Sequence, residues 1–170
     1  LMKNIIIVSA TSGTNLILSN DILNLLDQKK FKAKILNVGE IKLPLFNPQT
    51  IDEDSKKYKR KIKSITDDFI WSNGIIICAP EYNGNVPPVL SNAIAWISVT
   101  TSYWKDGFRN KLCLIASSSG GGGERFVQSM HSQLIHLGAK VFEEKIIINS
   151  SNKSINIKQK NDLKDFLSLL

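Results

Sequence analysis

The run Ile75, Ile76, Ile77, Cys78, Ala79 shows no alternation of apolar and polar residues. A strand with one face in water alternates and a strand covered on both faces does not, so this run requires a sheet buried between two layers. Gly74 ends a polar turn ahead of it and Pro80 stops it. Pro87 and Pro88 then suit the first turn of a helix, where a missing N–H costs nothing, and Leu90, Ala93, Ile94 and Ile97 recur at helical spacing. The unit reads strand, loop, helix, with the loop at residues 80–86. Open α/β sheets place ligands beyond the carboxyl ends of their strands, which makes this loop a candidate site. Glu81, Tyr82, Asn83, Gly84 and Asn85 offer an aromatic face, amide groups and close backbone approach. An ordinary polar turn is the other reading.

The same alternation of short apolar runs and helical stripes extends along the chain. Ile5, Ile6, Ile7 and Val8 predict a first strand, and Leu18, Ile22, Leu25 and Leu26 the buried stripe of a helix that fades at residues 28–30. Residues 33–38 read as the second strand and residues 39–50, with Pro44 and Pro48, as a loop. It leads to Asp52, Glu53 and Asp54 at a helix start, with Ile62, Ile65 and Phe69 on that helix's buried face. Residues 98–109 look irregular, 112–116 form a fourth strand, and Val127, Met130, Leu134 and Leu137 stripe a helix closed by Gly138. A fifth strand follows at 141–148, then a polar connector at 150–160. Leu163, Phe166, Leu167 and Leu170 mark a last helix. Five strands alternating with five helices predict a doubly wound α/β fold, a three-layer sandwich around a five-stranded parallel sheet. In the order 2-1-3-4-5, the loops after strands 1, 3 and 4 converge.

A chain of 170 residues suits one domain spanning 1–170, burying roughly two thirds of its unfolded surface. No run approaches the ~20 apolar residues of a membrane span. The patch at residues 5–8 is too short for the core of a secretion signal, so a soluble, cytoplasmic protein is expected. Leu1 ahead of Met2 reads as an addition to the natural start. Cys78 and Cys113 fall in predicted strands without metal spacing and read as core thiols. His131 and His136 do not share the i, i+4 face that paired helical ligands need. The net charge of +7 raises nucleic acid as a partner, but only Arg60, Arg109 and Arg125 among the 22 basic residues are arginines. The lysine run at 56–63 reads as a solvated helix face, with no nucleic acid and no membrane as partner.

Two further loops carry chemistry. Ser9, Thr11, Ser12, Gly13, Thr14 and Asn15 lie at the amino end of a helix, where unpaired N–H groups and hydroxyls favour a phosphate. The loop is neither G-x-x-x-x-G-K-[ST] nor G-x-G-x-x-G, and a plain Ser/Thr cap is its other reading. Residues 117–123 hold four successive glycines, costly to order unless backbone must approach something closely; a flexible hinge is the alternative. No nucleophile elbow or hydrolase triad is present.

Together the segment PEYNGNVPPVLSNAIAW at residues 80–96, LPLF at 43–46, the glycine loop at 120–123 and HLGAKV at 136–141 resemble the NADPH-dependent FMN reductase family, flavodoxin-like flavoproteins. The first loop departs from that family's pattern, which often carries an arginine there. The resemblance implies that Thr11, Ser12, Thr14 and Asn15 hold the FMN phosphate, with Ser9 and Gly13 in the same loop. Pro80, Glu81, Tyr82, Asn83 and Gly84, with Ser117, Gly120 and Gly121, would border the flavin ring. NADPH or NADH would be the reductant and a quinone, a free flavin or an azo compound the small-molecule acceptor. No catalytic side chain and no metal are implied, because the cofactor carries the redox chemistry.

Two rival readings remain: a flavodoxin-like carrier exchanging single electrons with protein partners, and a fold that binds no flavin. Carriers of that kind are typically acidic, and this chain is basic. The family also implies a homodimer, or a dimer of dimers, in which the partner chain closes the pocket. Trp96 lies off the helical stripe and Tyr103 and Trp104 follow it, so the three rings are expected to form an exposed interaction surface.

Overall fold

The structure is a computed structural model describing residues 2–170; the reading of Leu1 lies outside the described residues. Strands β1 (Lys3–Ser9), β2 (Phe31–Asn37), β3 (Gly74–Cys78), β4 (Leu112–Ser118) and β5 (Lys140–Ile148) form one parallel sheet in the order β2-β1-β3-β4-β5. Alternate residues of the unbroken runs supply two cores. Ile6, Val8, Ile75 and Ile77 pack with Ile62, Ile65 and Phe69 of α4 (Lys59–Trp71), with Leu90, Ala93 and Ile97 of α5 (Pro88–Thr100), and with Phe126 and Met130 of α6 (Glu124–His136). Ile5, Ile7, Ile76 and Cys78 face Leu18 and Ile22 of α1 (Thr14–Leu25) and Leu163 and Phe166 of α7 (Ile157–Ser168). Side chains point to opposite faces with a period of two, so covering both faces demands apolar residues at every position.

Several boundaries differ from the sequence expectation, those of α2 and α7 through local side-chain hydrogen bonds. The loop foreseen at 39–50 begins with one helical turn, α2 (Val38–Ile41), whose Gly39 amide donates to Asn37 Oδ1 at 3.2 Å. The single helix foreseen from Asp52 to Phe69 breaks at Tyr58 into α3 (Ile51–Lys57) and α4. Helix α5 runs on to Thr100, into the stretch read as irregular. Helix α7 starts inside the expected connector: Asn156 accepts from the Gln159 amide at 2.9 Å, and the Gln159 side chain accepts from the Asn156 amide at 3.1 Å. This capping box was written in the sequence as N-x-x-Q. On α1, Leu26 is buried while Leu25 is exposed, so Leu25 leaves the predicted stripe.

Trp96 corrects a larger expectation. It is fully buried: its indole N–H donates to Pro44 O at 2.8 Å and its ring meets Phe46 edge-on at 5.4 Å. Asn92 donates to the same carbonyl at 3.0 Å and accepts from the Phe46 amide at 2.7 Å. Residues 43–46 therefore form a strap over α5, giving the helix a second buried face beyond the one on the sheet. Tyr103 and Trp104 do stay exposed.

Candidate functional site

Register brings the three loops together. Ser9 pairs with Cys78 and Cys78 with Ala116, so β1 and β3 end level and β4 runs two residues further, to Ser118. An open cleft of about 390 Å³ lies above them, lined by Thr11, Gly13, Thr14 and Asn15 from the first loop, Pro80, Glu81 and Tyr82 from the second, and Ser118, Ser119 and Gly120 from the third.

Helix α1 opens toward this cleft without a side-chain cap. Its first bonds run from the Leu16 and Ile17 amides to Gly13 O, at 3.0 and 3.3 Å. That leaves the preceding amides of Thr14 and Asn15 for a ligand, at the positive end of the helix dipole. Three first-loop residues expected at the cofactor, Ser12 and Asn15 among those expected to hold its phosphate, have internal partners. Ser9 is buried and donates to Thr11 O at 2.7 Å. Ser12 donates to Glu40 Oε1 at 2.9 Å and accepts from Asn37 Nδ2 at 3.0 Å. Asn15 is buried, and its carboxamide both donates to Ser118 O and accepts from the Ser118 amide, each at 2.8 Å. Asn15 thus clasps the first loop to the third. Thr11 and Thr14 also line the cleft, and their side-chain hydroxyls have no such partners among the described residues.

The second loop is a tight turn. Tyr82 and Asn85 exchange backbone hydrogen bonds at 3.2 and 3.0 Å around Asn83 and Gly84, both with positive φ (51° and 70°), the pairing of a type I′ turn. Tyr82 is left half exposed at the cleft mouth. Glu81 does other work: Oε2 accepts from the amides of Arg125 at 3.0 Å and Phe126 at 3.4 Å. Gly123 cannot cap α6 with a side chain, so a carboxylate from the neighbouring loop satisfies two of that helix's free donors. The sequence places Glu81 far from α6, and no local signal announces the pairing.

In the glycine loop only Gly123 is demanded by conformation, with φ 74° and a would-be Cβ 2.9 Å from Ser117 Oγ. Ser117 is buried and its hydroxyl has no hydrogen-bond partner among the described residues, so it lies beneath the loop and does not line the cleft. Gly13 and Gly120 line the cleft with open space beside them, where a larger side chain would fill the cradle, whereas Gly121 faces open space and does not line the cleft. The groups with shifted ionisation do not line the cleft. Burial pushes the Cys78 and Cys113 thiols up to about 12 and lowers Lys111 to about 8. Lys111 precedes β4, at the opposite end of the strand from the glycine loop, and donates to Phe69 O at the end of α4. The described residues contain no cluster of three metal-ligating side chains and no helix long and apolar enough to cross a membrane.

The family of NADPH-dependent FMN reductases matches residues 2–153. The chain belongs to the NADPH-dependent FMN reductase family. A subunit of the NADH:(hydroxy)cinnamate reductase of Vibrio ruber is 30% identical over 74% of this chain and 60% of its own length. The NADPH azoreductase of a Bacillus strain is 24% identical over 71% of this chain and 63% of its own. The chain thus spans about three fifths of the length of these curated relatives. The flavoenzyme NAD(P)H:acceptor oxidoreductase of Paracoccus denitrificans superposes with a TM-score of 0.77 at 18% identity, covering 98% of this chain and 96% of that one. Its likeness establishes the flavodoxin-like fold of this member of the reductase family.

Proposed function

We propose that residues 1–170 form one FMN-binding unit that takes electrons from NADPH or NADH and passes them to a small organic acceptor of the quinone, flavin or azo class. The observation that carries this reading is the three-loop cleft in a chain of the FMN reductase family. The donor set fits the cofactor: uncapped amides of Thr14 and Asn15 with the hydroxyls of Thr11 and Thr14 suit a phosphate, and the open face of Gly120 leaves room for a flat ring. FMN, when bound, supplies the acceptance of hydride and its onward delivery as electrons.

The chain's own residues bind and position. Asn15 fixes the distance between the phosphate loop and the glycine loop, and Glu81 fixes the turn at 82–85 against α6. Tyr82 offers its ring at the mouth of the cleft. No side chain with a pKa near neutrality is needed, since the protein orients the reactants and does not itself exchange the hydride.

The working form is a homodimer or a dimer of dimers in the cytoplasm. Supporting this, Val99, Tyr103, Trp104 and Ile135 remain exposed at the ends of α5 and α6. A cavity of about 470 Å³ lies beside them, between Asn85 and Val86 of the second loop and His136 of α6. The two buried free cysteines accord with a reducing compartment.

Titration with FMN should quench flavin fluorescence at micromolar protein. NADPH or NADH should then bleach the bound flavin and a quinone should restore its absorbance. Absence of binding overturns the reading. Binding with bleaching only through a protein donor favours the single-electron carrier.

A further inference from the structure

Two cavities adjoin at the first loop. The cleft described above shares Thr14, Ser118, Ser119 and Gly120 with a second cavity of about 390 Å³. The second cavity continues past Asp21 of α1 to Asn149 and Lys153, on the connector between β5 and α7.

The cleft itself has a charge problem as a site for a phosphate dianion. Its first-loop lining is neutral, and the Glu40 carboxylate stands one hydrogen bond away through Ser12. The dipole of α1 offers only about half a positive charge. Arg125 lines neither cavity and packs against Gly84, at the turn. Lys153 is the cation that lines the adjoining space. It is exposed, and it forms no ion pair within 4.0 Å among the described residues, Asp21 included.

The chain just ahead of Lys153 is well anchored. Asn149 Oδ1 accepts from the amides of Ser151 and Asn152 at 3.0 and 2.9 Å, and the Asn149 amide donates to Asn152 O at 2.9 Å. Asn152 Nδ2 donates to Ile147 O at 3.0 Å and to Gln159 Oε1 at 3.2 Å. A lysine on a fixed turn keeps its long side chain within a limited region, and here that region borders Thr14.

We propose that Lys153 reaches across Thr14 to the phosphate of FMN held by the first loop, supplying from the β5–α7 connector the cation that the loop lacks. This rests on reading the cleft as an FMN site. Asp21 shares the second cavity, so the phosphate competes with that carboxylate for the lysine.

The test compares FMN with riboflavin, which has the same ring and no phosphate, by fluorescence titration of the whole chain. Lys153→Gln should weaken FMN binding roughly three- to ten-fold and leave riboflavin unchanged, while Lys153→Arg keeps the wild-type difference. The gap between wild type and Lys153→Gln should close as salt is raised. Lys160→Gln, on the exposed side of α7, controls for net charge and should change neither ligand. Equal FMN affinity in wild type and Lys153→Gln overturns the proposal and leaves the cleft reading standing, as does equal weakening of both ligands. A wild-type chain that binds neither ligand removes the cleft reading, and the role of Lys153 with it.

Discussion

Trp96 and Trp104 belong to one stretch of chain and have opposite fates. Trp96 is fully buried, with its N–H on Pro44 O and its ring against Phe46. Trp104 is 39% exposed, its ring tilted at 41° to that of His136 with centroids 5.3 Å apart, and Lys105 Nζ lies 4.6 Å from its centroid. The difference is made by a partner distant in sequence. Residues 43–46 cover α5, whereas the ring at 104 meets only the surface side chains of Tyr103, Lys105 and His136 among the described residues and stays partly in water. The first loop repeats the contrast on a smaller scale, with Asn15 turned inward onto Ser118 and Thr14 facing the cleft.

Replacing Trp96 is the strongest way to break that contrast. Trp96→Ala should cost about 3–5 kcal/mol by opening a cavity and removing one of the two hydrogen bonds on Pro44 O, lowering the melting temperature by roughly 10 °C. Trp96→Asp should unfold the chain, so it does not report on a dimer surface. A melting temperature within about 2 °C of wild type contradicts the burial described. Asn15→Ala comes next. It leaves the buried amide and carbonyl of Ser118 unpaired and should cost roughly 2–3 kcal/mol in denaturant unfolding, with a loss of FMN affinity. Thr14→Ala should spare stability and weaken FMN alone; equal effects of the two changes erase the distinction between clasp and ligand donor. The smallest change in stability, within about 0.5 kcal/mol, is expected for Trp104→Ala. Its effect should be read instead in sedimentation, as a shift from dimer toward monomer. A wild-type monomer with full turnover removes the proposed interface.

The sheet was legible because its signal is one-dimensional. Unbroken runs such as Ile5 to Val8 and Ile75 to Ala79 require burial on both faces whatever packs on them, and parallel neighbours then require helical crossovers. Stripes such as Ile62, Ile65, Phe69 and Val127, Met130, Leu134 similarly report one buried face of a helix. The candidate loops follow, since a sheet ordered β2-β1-β3-β4-β5 places their strand ends side by side. The N-x-x-Q capping box at Asn156 was also readable, although the polar residues around it masked the helix start.

What the sequence determined, then, is the layered sheet, the three loops and the residue types they bring to the cleft. Only the tertiary structure decided which of those side chains remain available to a ligand. Ser9, Ser12, Asn15 and Glu81 have the right chemistry to bind a cofactor, and each is engaged with the protein. Ser9 and Asn15 are buried, where a polar group is stabilised by a partner, and the partner of Asn15 is set by strand register and helix placement. The partners of Asn15 and Glu81 lie on distant segments, so local periodicity contains no trace of them. Trp96 obeys the same rule, because a ring off the sheet-facing stripe stays exposed unless a remote segment such as residues 43–46 covers it.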